Sequence, residues 1–146
     1  MAIKYNRLTS KYKIIPLGTV ALSSGAADLK VIDITAAGAL HFNCIAVVVA
    51  GASLSGALTI NIKGNTATNG SGTDYVIATK VLGASDDELT LEIDNEIISY
   101  IEDQNGGLGT FKSIVIDATG TGTDSFDAAL VYDHDHNYNA NTPTDS

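Results

Sequence analysis

Leu40-His41-Phe42-Asn43-Cys44-Ile45-Ala46-Val47-Val48-Val49-Ala50 is the longest largely apolar run in this 146-residue chain. Val47, Val48 and Val49 are β-branched, stiff at χ1 and well suited to a pleated strand. Eleven residues are about half of what a helix needs to cross a bilayer. Apolar residues follow one another here without alternation. The run is therefore expected to be a central strand with both faces covered, as in a sandwich or barrel.

Working outward, the flanking segments read as strands between turns of small residues. Upstream, Thr19–Leu22 is a short strand, and Leu29–Thr35 (LKVIDIT) a longer one that Ala36-Ala37-Gly38 turns into the central run. Downstream, Gly51–Gly56 closes the run. In Leu58–Lys63 the residues Leu58, Ile60 and Ile62 alternate with Thr59, Asn61 and Lys63, the pattern of a strand with one wet face. Asn69-Gly70 is a strong turn pair in the loop Gly64–Gly72, after which Thr73–Leu82 returns as a strand. Leu89–Asp94 alternates again. Then Ile97, Ile98 and Ile101 recur at helical spacing, with Asp94 or Asn95 to cap the start and Gly106 to stop the end, so Asn95–Asp103 is expected to be one short helix, its rival being a bent continuation of the strand. Phe111–Asp117 and Phe126–Asp133 complete the set.

About eight strands with Gly, Ser, Thr and Ala at the turns and a single short helix define an all-β chain. The expected fold is an antiparallel β-sandwich, jelly-roll-like, because the strand–helix alternation of a parallel sheet is absent. At this length one domain is expected, residues 16–133, with a basic N-terminal arm at 1–15 and a polar C-terminal tail at 134–146. Pro16 is taken as the break between arm and body.

Charge divides along the same lines. The chain carries a formal −9, yet its first thirteen residues hold Lys4, Arg7, Lys11 and Lys13 and no acid. The remaining residues set four bases against seventeen acids, a net −13. An acidic body argues against nucleic acid as the main partner, since phosphate binding relies on clustered positive charge. The arm residues Lys4, Tyr5, Arg7, Lys11, Tyr12 and Lys13 are instead the candidate partner-binding set, facing an anionic surface such as an acidic patch on a protein neighbour. The N-terminus has no apolar stretch behind its basic residues, so no signal peptide is expected, and no membrane association.

Signs of chemistry are few. Gly51-Ala52-Ser53-Leu54-Ser55 fails the nucleophile-elbow spacing at its last position. Gly106-Gly107-Leu108-Gly109 lacks the order of glycines that binds dinucleotides. His41 reads as a rim histidine, and Cys44, the single cysteine, as a small buried hydrophobe. Two clusters invite a metal. Asp117, Asp124 and Asp127 flank one turn and offer oxygen ligands. His134 and His136 project to one side of an extended chain and would share a transition metal with other copies around a symmetry axis. Neither cluster is complete as a site, no cofactor is expected, and the chain is read as a non-enzyme.

As a whole the chain resembles small bacteriophage structural proteins of the head-decoration, or cement, kind. The resemblance rests on the unsignalled acidic β domain, the basic N-terminal arm and the small-residue turns Gly51–Gly56 and Gly64–Gly72. It implies a virion protein, assembled in the host cytoplasm, that binds the major capsid protein or other virion proteins. It also implies a homo-oligomer, a trimer by preference, that reinforces the outer shell. The alternatives are a tail or fibre β-domain that trimerises and a carbohydrate-binding sandwich, the latter disfavoured by the absence of Trp.

Overall fold

The computed structural model describes residues 12–22, 25–35, 42–53, 56–83, 86, 88–120 and 125–134. Among these residues eight strands form in chain order: β1 (Tyr12–Ala21), β2 (Ala26–Asp33), β3 (Phe42–Ser53), β4 (Leu58–Asn65), β5 (Asp74–Leu82), β6 (Glu88–Asp94), β7 (Ser113–Thr119) and β8 (Ser125–His134). Among the described residues one helix, α1 (Asn95–Gln104), follows β6.

The strands make two four-stranded sheets. Sheet A has the order β1-β8-β3-β6, and sheet B the order β2-β7-β4-β5. The antiparallel pairs β1 with β8, β2 with β7, β3 with β6 and β4 with β5 show how this arises. A single long two-stranded ribbon, closed by the β4–β5 hairpin, has been rolled up. The roll is then sealed by β3 against β8 and β4 against β7. This is the jelly-roll sandwich expected from the sequence.

Burial explains the winding. On β3, Ile45, Val47 and Val49 are fully buried between the sheets, and Leu58, Ile60 and Ile62 of β4 meet them from the other side. Phe126 and Leu130 of β8, with Ile114 and Ile116 of β7, fill the rest. Each such side chain stabilises the fold by about 1.5–3 kcal/mol relative to exposure. The alternation read in β6 is present, with Leu89, Leu91 and Ile93 buried and Glu88, Thr90, Glu92 and Asp94 exposed. The helix also forms where its spacing placed it. Asp94 caps it, Oδ1 accepting from the Ile97 amide at 2.9 Å.

Two expectations change. Pro16 does not end an arm: β1 runs through it, with Tyr12 opposite Asp133 and Ile15 opposite Leu130. A proline is tolerated because β1 lies at the edge of sheet A, where one row of amides meets no strand among the described residues, and a register shift between Pro16 and Gly18 absorbs its geometry. The first strand is thus ten residues long, not the four of Thr19–Leu22. Second, β3 is central but not covered on both faces. Cys44, Ala46 and Val48 point away from the core and are only half-buried, while Ala50 is exposed.

Candidate docking surface

The outward face of sheet A follows from the register. Ile14 of β1, Val131 of β8 and Ala46 of β3 lie side by side, and Pro16, Ala129 and Val48 form the next row. Ile14 is 66% exposed, and the others range from half-buried to exposed. Two hydrogen bonds fix the orientation of this face. The Cys44 thiol donates to Glu92 Oε1 at 3.1 Å, and the Thr19 hydroxyl donates to Asp127 Oδ1 at 2.6 Å. The centre is apolar, built from Ile14, Pro16, Ala46, Val48, Ala129 and Val131. Its rim is acidic: Glu88, Glu92 and Asp94 run along β6, and Asp127 sits on β8. Cys44 therefore belongs to an outer face, contrary to its reading as a core residue.

Sheet B presents a different exterior. Lys63 at its middle bridges Asp117 at 2.5 Å and Asp74 at 3.6 Å, and Asn61 donates to Asp117 at 2.9 Å. The hydrogen bond to Asp117 holds the Lys63 ammonium above its ordinary pKa, and nearby carboxylate charge outweighs the opposing effect of burial. The β4–β5 loop folds back over this sheet, with Gly70 close above Val31 and Val115. That loop is organised by Asn65, which is fully buried. Its amide donates to the Gly70 and Gly72 carbonyls and to Asp74, while its oxygen accepts from the Ala67 and Gly72 amides. The polar groups of this exterior largely satisfy one another.

All four sheet edges are blunted. β1 carries Pro16 and a bulge. β2 has a register shift and sets Lys30 opposite the buried Ile116, on the inner side of the edge. β5 does the same with Lys80 opposite Ile60, and the Lys80 ammonium crosses to the Thr90 carbonyl of β6 at 3.1 Å. β6 is short, seven residues, and acidic. Inward charges, prolines and bulges are the devices by which sheets refuse further strands.

The residues singled out from the sequence fall as follows. Lys4, Tyr5, Arg7 and Lys11 lie outside the described residues, as do His41 and His136. Tyr12 and Lys13 open β1, and His134 closes β8 opposite Phe42, but their side chains lie outside the described part. Since Tyr12 pairs with Asp133, residues 1–11 and 135–146 join the sandwich at neighbouring positions of one end. Asp117 and Asp127 do not come together: they project from the outer faces of different sheets, and Asp124 lies outside the described residues. Among the described residues, no group of three or more His, Cys, Asp or Glu is placed to hold a metal, and no helix is long and apolar enough to cross a membrane. The apolar face of sheet A was missed. Its signal was present in β8, where Ala129 and Val131 leave the strand apolar on both sides, but only the register joins them to Ala46 and Val48.

No family model and no curated protein matches this sequence. Solved structures do. A PirA crystal structure is similar over 85% of this chain and 94% of that one, at 14% identity and a TM-score of 0.45. A chain of the Triatoma virus empty capsid is similar over 84% and 88%, at 7% identity and 0.44. A chain from the disulfide-linked pili of Bacillus endospore appendages is similar over 84% and 90%, at 14% identity and 0.40. At these identities the likeness is one of fold alone.

Proposed function

We propose that this chain is a structural protein of a virion, one that binds the outer surface of the shell and stabilises it as decoration or cement proteins do. Its work is binding, not catalysis. One observation carries the reading: a closed roll with four blunted edges leaves an apolar face on sheet A, rimmed by acids and half-buried to exposed. Contiguous apolar surface on a soluble domain is costly unless a partner covers it. With the edges closed to strand addition, assembly must run through this face between copies of the chain and through the end loops toward the shell.

Stabilisation then follows from linkage. A protein that binds the assembled shell but not its dissociated subunits shifts the equilibrium toward the shell, by about 2.7 kcal/mol per site at a hundredfold excess over Kd. The trimeric state and the capsid partner belong to this proposal. Purified particles provide the test. The protein should be found in them by mass spectrometry and located on the head surface by labelling. Its absence from the particles, or its placement on the tail, would overturn the decoration role.

A further inference from the structure

We propose that the outer face of sheet A is covered by residues 1–11 of a second copy of this chain. The inference rests on the reading of the protein as an assembling subunit and names what its exposed face receives. Four observations converge on it.

The first is chemistry. The face has an apolar centre built from Ile14, Pro16, Ala46, Val48, Ala129 and Val131, with Glu88, Glu92, Asp94 and Asp127 around it. Its occupant needs apolar side chains and positive charge together. A second acidic body, packed face to face, would bring like charges to the same rim. Residues 1–11 (MAIKYNRLTSK) contain Lys4, Arg7 and Lys11 with no acid, interleaved with Ile3, Tyr5 and Leu8.

The second is area. Four strands of 7 to 12 residues, about 4.8 Å apart, present a face of roughly 500 Å². Two folded bodies in a stable complex bury about 800 Å² each. The face is small for a rigid partner and suits an extended segment, which can follow its contour.

The third is reach. Eleven extended residues span about 36 Å, against about 14 Å across four strands, so the segment can cross a whole sheet. The fourth is direction. The segment joins at Tyr12, where β1 begins at one end of the sandwich. To fold back over its own sheet the chain would have to reverse at once, and residues 1–11 hold neither Gly nor Pro, with Asn6 and Ser10 as their only turn-favouring residues. A segment that continued outward from Tyr12 would meet a neighbour instead.

Cys44 reports on the cover, because the only cysteine of the chain lies on this face beside Glu92. The rate of its alkylation by a bulky maleimide is compared, in the native fold, between the wild-type chain and the full-length charge reversal Lys4→Glu/Arg7→Glu/Lys11→Glu. Sedimentation of both is recorded at 0.1 M and 1 M salt. The wild-type chain should sediment as an oligomer at low salt and be alkylated at least about tenfold more slowly than the reversal, as for a cover closed some nine-tenths of the time. High salt should erase most of the difference, since the Debye length falls from about 10 Å to about 3 Å. Mild oxidation of Leu8→Cys should give disulfide-linked oligomers that disappear when Cys44→Ser is added. Equal alkylation rates overturn the inference. If the wild-type chain is then still an oligomer, the assembling subunit stands without this cover; if it is a monomer that ignores particles, both fall. A disulfide closed within one chain would overturn the assignment to a second copy.

Discussion

Asn65→Ala should loosen the β4–β5 loop and lower the stability of the whole roll. The side chain is fully buried and makes five hydrogen bonds, with distances from 2.6 to 3.1 Å. Truncation leaves the Ala67 and Gly72 amides, the Gly70 and Gly72 carbonyls and one oxygen of Asp74 without this partner. Each hydrogen bond contributes about 1 kcal/mol net, and each group left buried and unsatisfied costs about 1–3 kcal/mol. The loop lies near the surface, so water will recover part of that. A loss of about 2–4 kcal/mol is expected, or roughly 5–15 °C in Tm for a chain of this size. Asn65→Asp should be at least as damaging at neutral pH. It keeps an acceptor for the two amides but turns a carboxylate oxygen toward two carbonyls and Asp74, and burial with like charge favours its neutral form. Part of the stability should therefore return as the pH falls through the carboxyl range. Thermal unfolding followed by circular dichroism gives the loss, and hydrogen exchange at Ala67 and Gly72 locates it. A change below about 0.5 kcal/mol with both amides still protected would refute the assignment of Asn65 as the organiser of the loop.

Three further outcomes follow from single contacts. Gly64→Ala should destabilise by about 1–3 kcal/mol, because its new Cβ would stand 2.3 Å from the Phe111 ring, itself stacked on Tyr75; adding Phe111→Leu should restore part of the loss in denaturant titrations. Glu102→Ala should free the loop after α1, since the buried carboxylate accepts from the Gly109 and Phe111 amides at 3.0 and 2.8 Å, and a cost of about 2–3 kcal/mol with faster exchange at both amides is expected. Lys63→Met should cost about 1 kcal/mol near neutrality. Because the folded-state pKa of Lys63 is raised, that contribution is complete below the ordinary lysine value of about 10.4 and is lost as pH climbs through the folded one, so wild type and variant should converge only in strong alkali.

Much of this fold was legible in the sequence because its signals are local. Alternation in β4 and β6 reports one buried face against a half-buried one in β4 and an exposed one in β6, and the helix announces itself through the spacing of Ile97, Ile98 and Ile101 after an Asp that caps it. Pro16 misled, since whether a proline breaks a strand or sits in an edge depends on which side of it another strand lies, and that is set by the distant β8. The same holds for β3. Its unbroken apolar run does not distinguish a strand covered twice from one whose outer side waits for a partner. The docking face was illegible for a physical reason. Ile14, Ala46 and Val131 are far apart in sequence and become one surface only through strand register, which no local pattern encodes.

Adding the purified protein back to particles that lack it tests the central claim most directly. Co-sedimentation measures binding, and the temperature at which the particles release their contents measures reinforcement. The account predicts saturable binding to the shell and a release temperature that rises with occupancy, both weakened by Val48→Asp on the outer face of sheet A in a protein that still folds. Saturable binding with no change in release temperature, or no binding at all by a correctly folded protein, would contradict it.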